Sequence, residues 1–345
     1  MSKKIALVAM VLVSVTAVSC GDGRTPLVIY SPHGRDLLQR AEEIFEAQNP
    51  SVDVRWLDMG SQDVFDRVRS ERVNPQADVW YGGPSNLFAR AAAESLLHAY
   101  RPVWADAVPE RARGAGDFFF AVFETPLVIA FNSVALTRAE APQDWDDVLR
   151  PEWNDKVVIR DPIASGTMRS IFGMIMQRSL RESGNTESGI AWLRRLDGQT
   201  REYPINPALL HQKLIRQEGL ITLWGLPDIL VESSKGRPLD YVLPTSGTPV
   251  IEDAIAVVRG TDNLAIAQRF VDWVGSVDAQ LFAAREVFRL PSRTDLPEDS
   301  LPAWVLDVRS HLVVEEMDWL LLADSGAAWM NYWDRNIRGS GAPAD

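Results

Sequence analysis

The stretch LVIYSPHGRDLLQRAEEIFEAQNPSVDVRW, residues 27–56, decides the fold. Leu27-Val28-Ile29-Tyr30 is a short apolar run bounded by Pro26 and Pro32, the pattern of a buried strand. Leu37, Leu38, Ala41, Ile44 and Phe45 then recur at helical spacing from Asp36 to about Gln48, and Asn49-Pro50 stops them. Val52, Val54 and Trp56 alternate as a second strand. Outward from there the pattern repeats. Val64, Phe65 and Val68 mark a second helix, Ala77 to Tyr81 a third strand, and Gly82-Gly83-Pro84-Ser85 turns into an alanine-rich helix to about Leu97. Strands alternating with helices predict an α/β fold with a mostly parallel sheet covered on both faces.

Such sheets bind ligands at the carboxyl ends of their strands. Here those ends are residues 31–34, 59–62 and 82–86, rich in Gly, Ser and small polar groups. Farther on, two apolar strand-like segments flank Glu124-Thr125-Pro126, and Asn132 opens a region with its own alternation. Residues 156–159 read as a strand, Asp161-Pro162-Ile163-Ala164-Ser165-Gly166-Thr167 leads into a helix from Met168 to about Arg181, and residues 220–224 and 253–258 read as strands. The tail from Leu264 to Asn336 is mostly helical by pattern. A chain of 345 residues, 46% of them hydrophobic, exceeds one typical core, so two lobes are expected.

Lys3 and Lys4 precede an apolar run from Ile5 to Val18 that ends at Ala17-Val18-Ser19-Cys20, the only cysteine. The run is shorter than the ~20 residues that span a bilayer, and with its small-residue ending it resembles a bacterial lipoprotein leader. Residues 1–19 are then a signal peptide, residues 20–25 a tether, and Cys20 an acylated anchor to a bacterial membrane, in the periplasm or at the cell surface. The body has no cysteine left for a disulfide, so core burial must stabilise it. Removing Lys3 and Lys4 takes the formal charge of −12 to −14. With no Lys/Arg cluster, nucleic acid is excluded as a partner. An acidic surface also repels anions at long range, so any anion site must be built locally.

Enzyme chemistry finds no support in the pattern. There is no Gly-x-Ser-x-Gly elbow, no His-Glu-x-x-His helix and no serine three residues ahead of a lysine. His33, His98, His211 and His311 are scattered, and a lone cysteine makes no thiolate metal site. No cofactor is implied.

Several motifs in one order carry a resemblance: Val28-Ile29-Tyr30-Ser31-Pro32-His33-Gly34, Asn74 through Ala77-Asp78-Val79-Trp80-Tyr81 to Gly82-Gly83, and Trp145 through Pro151-Glu152-Trp153 to Asp161-Pro162. Ser165-Gly166-Thr167 and Gly247-Thr248-Pro249-Val250-Ile251-Glu252-Asp253-Ala254-Ile255-Ala256 complete it. Over residues 26–273 the chain resembles the extracellular solute-binding proteins of ABC importers, the family that includes ferric-ion, organophosphate and phosphonate binders. The resemblance implies a two-lobed periplasmic-binding-protein type II fold whose lobes, joined by two crossing strands, close on solute by domain motion. The lobes would be residues 26–126 plus 254–290, and residues 127–253 plus 291–340. It also implies a small-molecule solute, an ABC permease as partner, and a monomer. Ferric binders of the family use adjacent tyrosines, and this chain has no Tyr-Tyr pair; a ferric or ferric-chelate protein is the alternative within the family. A binding protein that serves a receptor, or an enzyme on the same fold, is the alternative of another class.

Ser165, Gly166 and Thr167 are the best anion site in the sequence, offering hydroxyls, close backbone approach and a helix N-terminus, with Arg169 one turn in. Ser165 or Thr167 as a plain helix cap is the competing reading. Ser31 and His33 end the first strand facing the expected cleft. Gly83 and Ser85, with Ser61, form further helix entrances, where the serines act as caps or ligands. Thr125, beside Glu124, lies at the crossing, as hinge or contact. Trp224 and Asp228 follow a second-lobe strand, while Glu252 and Asp253 open the return strand. Donors on one side and carboxylates on the other suit an anionic head with a polar or cationic tail: a phosphosugar, an organophosphate or an aminoalkylphosphonate.

Overall fold

The computed structural model describes residues 23–339. The leader, Cys20 and the first tether residues lie outside them. The chain begins β1 (Thr25–Ser31), α1 (Arg35–Gln48), β2 (Val52–Asp58), α2 (Ser61–Ser70), β3 (Val79–Pro84) and α3 (Ser85–Ala93), in the order the alternation predicts. α3 is shorter than its alanine run suggests. Ser95 takes a left-handed φ of 58°, which ends the helix and starts β4 (Leu97–His98).

β5 (Phe120–Asn132) is the long crossing strand. The second lobe follows with β6 (Val157–Val158), α4 (Gly166–Ser183), α5 (Glu187–Gln199), β7 (Thr200–Glu202), α6 (Pro207–Ile215), β8 (Ile221–Gly225), α7 (Leu226–Ser234) and β9 (Leu239–Val242). β10 (Val250–Val258) returns to the first lobe, then come α8 (Leu264–Val274), α9 (Val277–Glu286), β11 (Leu290–Pro291), α10 (Ala303–His311) and α11 (Trp319–Asn336). The return strand starts three residues before the expected Asp253, so Glu252 and Asp253 lie within it and face opposite sides.

The sheet path is β2-β1-β3-β10-β5-β8-β6-β7. β1 runs parallel to β2 and β3, and β6 parallel to β7 and β8, while the crossing strands run antiparallel to their neighbours. The sheet is therefore mixed rather than mostly parallel. β5 pairs with β10 from Phe120 to Pro126, then changes partner and pairs with β8 and β9 from Leu127 to Asn132.

Alternation along the strands separates the cores. Leu27, Ile29, Ile255 and Val257 pack on one face of the first-lobe sheet, and Tyr30, Ala254, Ala256 and Val258 on the other. A third core gathers Leu127 to Phe131, Val157, Leu223, Met330 and Trp333 in the second lobe. No described helix is long and apolar enough to cross a membrane.

Candidate functional site

Strand ends and helix starts meet between the lobes. α2 starts at Ser61 after Gly60, α3 at Ser85 after Pro84, and α7 at Leu226 after Gly225, and none of these three has a side-chain cap. At α4, Ser165 Oγ accepts from the Met168 N–H at 3.2 Å, and its carbonyl accepts from Arg169 N–H. The cap reading of Ser165 therefore holds, but its hydroxyl proton stays available, and the N–H groups of Gly166 and Thr167 have no helical partner. Several positive helix ends thus point at one space.

That space is a chamber of about 70 Å³, lined by Pro32, His33, Ser61, Pro84, Thr125, Arg160, Ser165 to Thr167, Trp224, Asp228, Asp253 and Arg289, among others. It opens, through walls it shares at His33, Arg160, Asp228 and Arg289, into a chamber of about 620 Å³ that also carries Asp36, Asp58, Asp63, His211 and Glu232. Two buried arginines decide the electrostatics of the inner chamber. Arg160 is 9% exposed, and its Nε donates to the Ile205 carbonyl at 3.4 Å. Burial pulls its pKa down, opposed by Asp63, Asp161, Asp58 and Asp228. Arg289 is 6% exposed and donates to the His33 carbonyl at 3.1 Å and to Asp228 Oδ1 at 3.4 Å, while its Nε has no partner. A buried guanidinium with an unsatisfied N–H is a costly arrangement that an anionic ligand would relieve.

His33 is fully buried beside Arg289, and both burial and that charge push its pKa well below the usual value, so the ring is neutral. It packs edge-on to Tyr81 at 5.2 Å, and its Nε2 has no partner. Gly82 makes room for it: at φ 96° a Cβ there would sit 2.2 Å from His33 Nε2. Asp253 holds the inner wall rather than offering a free carboxylate. Its oxygens accept from the Gly83 N–H at 3.0 Å and from the Thr125 hydroxyl. Asp228 accepts from Trp224 Nε1 at 2.9 Å, which fixes the indole as a wall of the chamber.

Of the residues singled out in the sequence, the inner chamber brings together His33, Ser61, Thr125, Ser165, Gly166, Thr167, Trp224, Asp228 and Asp253. Ser31 lies beneath, fully buried, accepting from the His33 N–H at 3.2 Å. Gly83 sits behind the wall in β3, and Ser85 opens α3 without lining the chamber. Arg169 turns into a separate crevice with Asn86 and Leu322, donating to Gln62 Oε1 at 3.2 Å and to the Ile163 carbonyl. Glu252 faces the rear of the sheet, opposite Glu124, because strand alternation puts its neighbour Asp253 on the cleft side. Arg160 and Arg289 were missed. Arg160 directly follows a predicted strand and so stands at a carboxyl end, a signal that was readable; Arg289 follows a helix and had none.

The lobes are closed on each other. Lys235 Nζ lies 2.6 Å from Asp36 Oδ2 across the mouth. Deeper in, a Cβ on Gly166 would meet Pro84 Cγ at 3.1 Å and Ser61 Oγ at 3.3 Å, and one on Gly60 would meet the Ala164 carbonyl at 3.0 Å. The backbones can come this close because both positions are glycine.

Two lobes, two crossing strands and an interlobe cleft lined with hydrogen-bond donors define a solute-binding protein of the periplasmic type. The model of the bacterial extracellular solute-binding protein family matches residues 74–305, and the chain belongs to that family. It is 27% identical over 315 residues, 90% of this chain and 86% of the relative, to a probable ABC transporter periplasmic-binding protein, y4fP, of Sinorhizobium fredii. It is 24% identical, over 72% of each chain, to a putative 2-aminoethylphosphonate-binding periplasmic protein of Salmonella typhimurium. Among solved structures it is similar to the periplasmic binding protein AfuA of Actinobacillus pleuropneumoniae with exogenous fructose-6-phosphate bound, with a TM-score of 0.80, 25% identity, and coverage of 93% of this chain and 100% of that one. The chain is therefore an extracytoplasmic solute-binding protein of the ABC-transporter kind, and a small solute and a membrane permease are its partners.

Proposed function

We propose that the cleft captures an organic phosphate or phosphonate, with the anionic head in the inner chamber and a polyhydroxyl or amine-bearing tail in the outer one. The observation that carries this reading is the inner chamber itself. It is about 70 Å³, the scale of a tetrahedral oxyanion, and it has two buried arginines and the free N–H groups of α4 around it. The outer chamber adds Asp36, Asp58, Asp63 and Glu232, acceptors that suit hydroxyls or an ammonium group. The fructose-6-phosphate of the AfuA structure and the name of the Salmonella relative lie in the same chemical class. Neither chamber is lined by a tyrosine, and no group of three or more His, Cys, Asp or Glu suited to a metal occurs among the described residues, so ferric ion has no built ligand set here.

The chain then works as a monomer, acylated at Cys20, that delivers solute to the permease of an importer rather than transforming it. Thermal melting of the full chain with fructose 6-phosphate, 2-aminoethylphosphonate, fructose and ferric citrate tests the solute class. A ligand at 100 times its dissociation constant stabilises the native state by about 2.7 kcal/mol, a shift of several degrees. Shifts with the two phosphorus compounds and none with fructose are expected. An equal shift with free fructose, or one with ferric citrate alone, would sink the reading.

A further inference from the structure

Behind the cleft, on the face of the crossing strands turned away from the chambers, two glutamates stand opposite each other. Glu124 of β5 pairs in register with Glu252 of β10, close to where β5 exchanges β10 for β8 as its partner. Their side chains are 19% and 13% exposed. Like charges directly opposite on neighbouring strands are destabilising, and solute capture uses neither group.

The first lobe sends one cation to the pair, and the second lobe holds another nearby. Arg111, from the short turn Glu110–Ala112 of the first lobe, donates from Nη2 to Glu124 Oε1 at 2.7 Å, and its Nε lies 3.3 Å from Glu252 Oε1. Arg309 rises from α10, whose Val305 and Val308 belong to the second-lobe core. Its field reaches Glu124, but its Nη2 donates to the Pro291 carbonyl at 3.3 Å instead of to a carboxylate. β11, which pairs with β5 at Glu124, brings only Leu290 and Pro291 and no titratable side chain. In the closed arrangement one solvated guanidinium therefore serves two carboxylates.

We propose that the Glu124–Glu252 pair is a proton-linked hinge: closing the lobes takes one proton up onto the pair, and opening them releases it. Burial pushes the Glu252 carboxyl up to about 7, with Glu124 raising it further and Arg111 opposing. Burial raises Glu124 as well, opposed by Arg111 and Arg309. Two facing carboxylates with a single contacting cation hold one proton between them. Opening the cleft at the front bends β5 and β10 so that their rear faces turn inward. On this proposal, that motion brings Arg309 toward Glu124 and gives the second carboxylate a cation of its own, so the doubly ionised pair belongs to the open form. Glu252 and Glu124 are positioning residues, acting on the solute only through the hinge. Acid then favours the closed lobes, and proton release accompanies opening.

The test needs no solute, so its outcome is independent of the organophosphate reading. In the full chain with Cys20→Ser, spin labels go on Val73→Cys in the first lobe and Val134→Cys in the second, both exposed. Pulsed electron paramagnetic resonance then measures the interlobe distance from pH 5.5 to 8.5. The distribution is expected to shift from closed toward open as pH rises across this range, as the pair loses its shared proton. Glu252→Gln should keep the low-pH distribution at every pH, and Glu124→Gln should do the same, which guards against a folding defect in one variant. Arg111→Gln should move the midpoint up by roughly one pH unit, because the contacting cation is gone. An unchanged midpoint in Glu252→Gln or in Arg111→Gln, or a wild-type distribution that ignores pH, would overturn the proposal.

Discussion

The two chambers of the cleft touch each other and are built on opposite principles. The inner one is small and rich in donors, with helix N-termini, hydroxyls and buried arginines beside Asp228 and Asp253. The outer one is large and carries most of the carboxylates, from both lobes. In a chain of formal charge −12, the inner chamber gathers its donors around Arg160 and Arg289, which are also part of the wall it shares with the outer one. The rest of the cleft keeps the acidic character of the surface and offers acceptors. On the proposed reading, the difference teaches that head-group affinity and tail selectivity rest on different residues and can be broken separately.

The largest effect is expected from the arginines. Arg160→Met and Arg289→Met should each weaken fructose 6-phosphate binding by about 10- to 100-fold, since a hydrogen bond to a charged group contributes about 1.5–3 kcal/mol. Calorimetric titration checks this, and a variant with unchanged affinity would break the assignment of the inner chamber. Next comes Asp253→Ala, which strips the Gly83 N–H and the Thr125 hydroxyl of their acceptor. It should cost about 1–3 kcal/mol of stability in chemical denaturation.

Ser165→Ala sharpens the comparison by removing a cap as well as a proposed ligand donor. About 1 kcal/mol of stability is expected to go, together with a loss of phosphate-ester affinity that exceeds any loss for a solute without phosphorus. The smallest effect falls in the outer chamber. Asp58→Asn should leave inorganic phosphate binding unchanged while shifting the preference between 2-aminoethylphosphonate and fructose 6-phosphate a few-fold, in competition titrations.

The rear of the hinge gives a pH-dependent check. Glu252 binds its proton more tightly folded, at about 7, than at its ordinary 4.5. Its contribution to stability is therefore fully present below pH 4.5 and is lost as pH rises through 7. Glu252→Gln should flatten that decline in melting temperature, and a decline of equal slope in the variant would assign it to other groups.

Much of this protein was legible from residue order alone. The alternation of strands and helices follows from periodicity, because a period of 2 or 3.6 is visible in any one segment. The same holds for the helix start at Ser165-Gly166-Thr167, where cap and glycine lie side by side. Much of the site could not be read so. Thr125 and Asp253 look like two loose ligands and are instead bonded to each other, 128 positions apart in the chain. Arg169 looked like the local cation and points elsewhere, while Arg289, between α9 and β11, lines the inner chamber.

By itself, then, the sequence determined the strand–helix alternation of the first lobe and the helix start at Ser165-Gly166-Thr167, because each rests on contacts within a few residues, while chain length and the order of motifs pointed to two lobes. Only the tertiary structure decided which arginines face the cleft, which carboxylates are already bonded, and that Glu124 and Glu252 oppose each other at its rear. Those facts depend on strand register and on how two lobes meet, and register joins residues that are far apart in the chain.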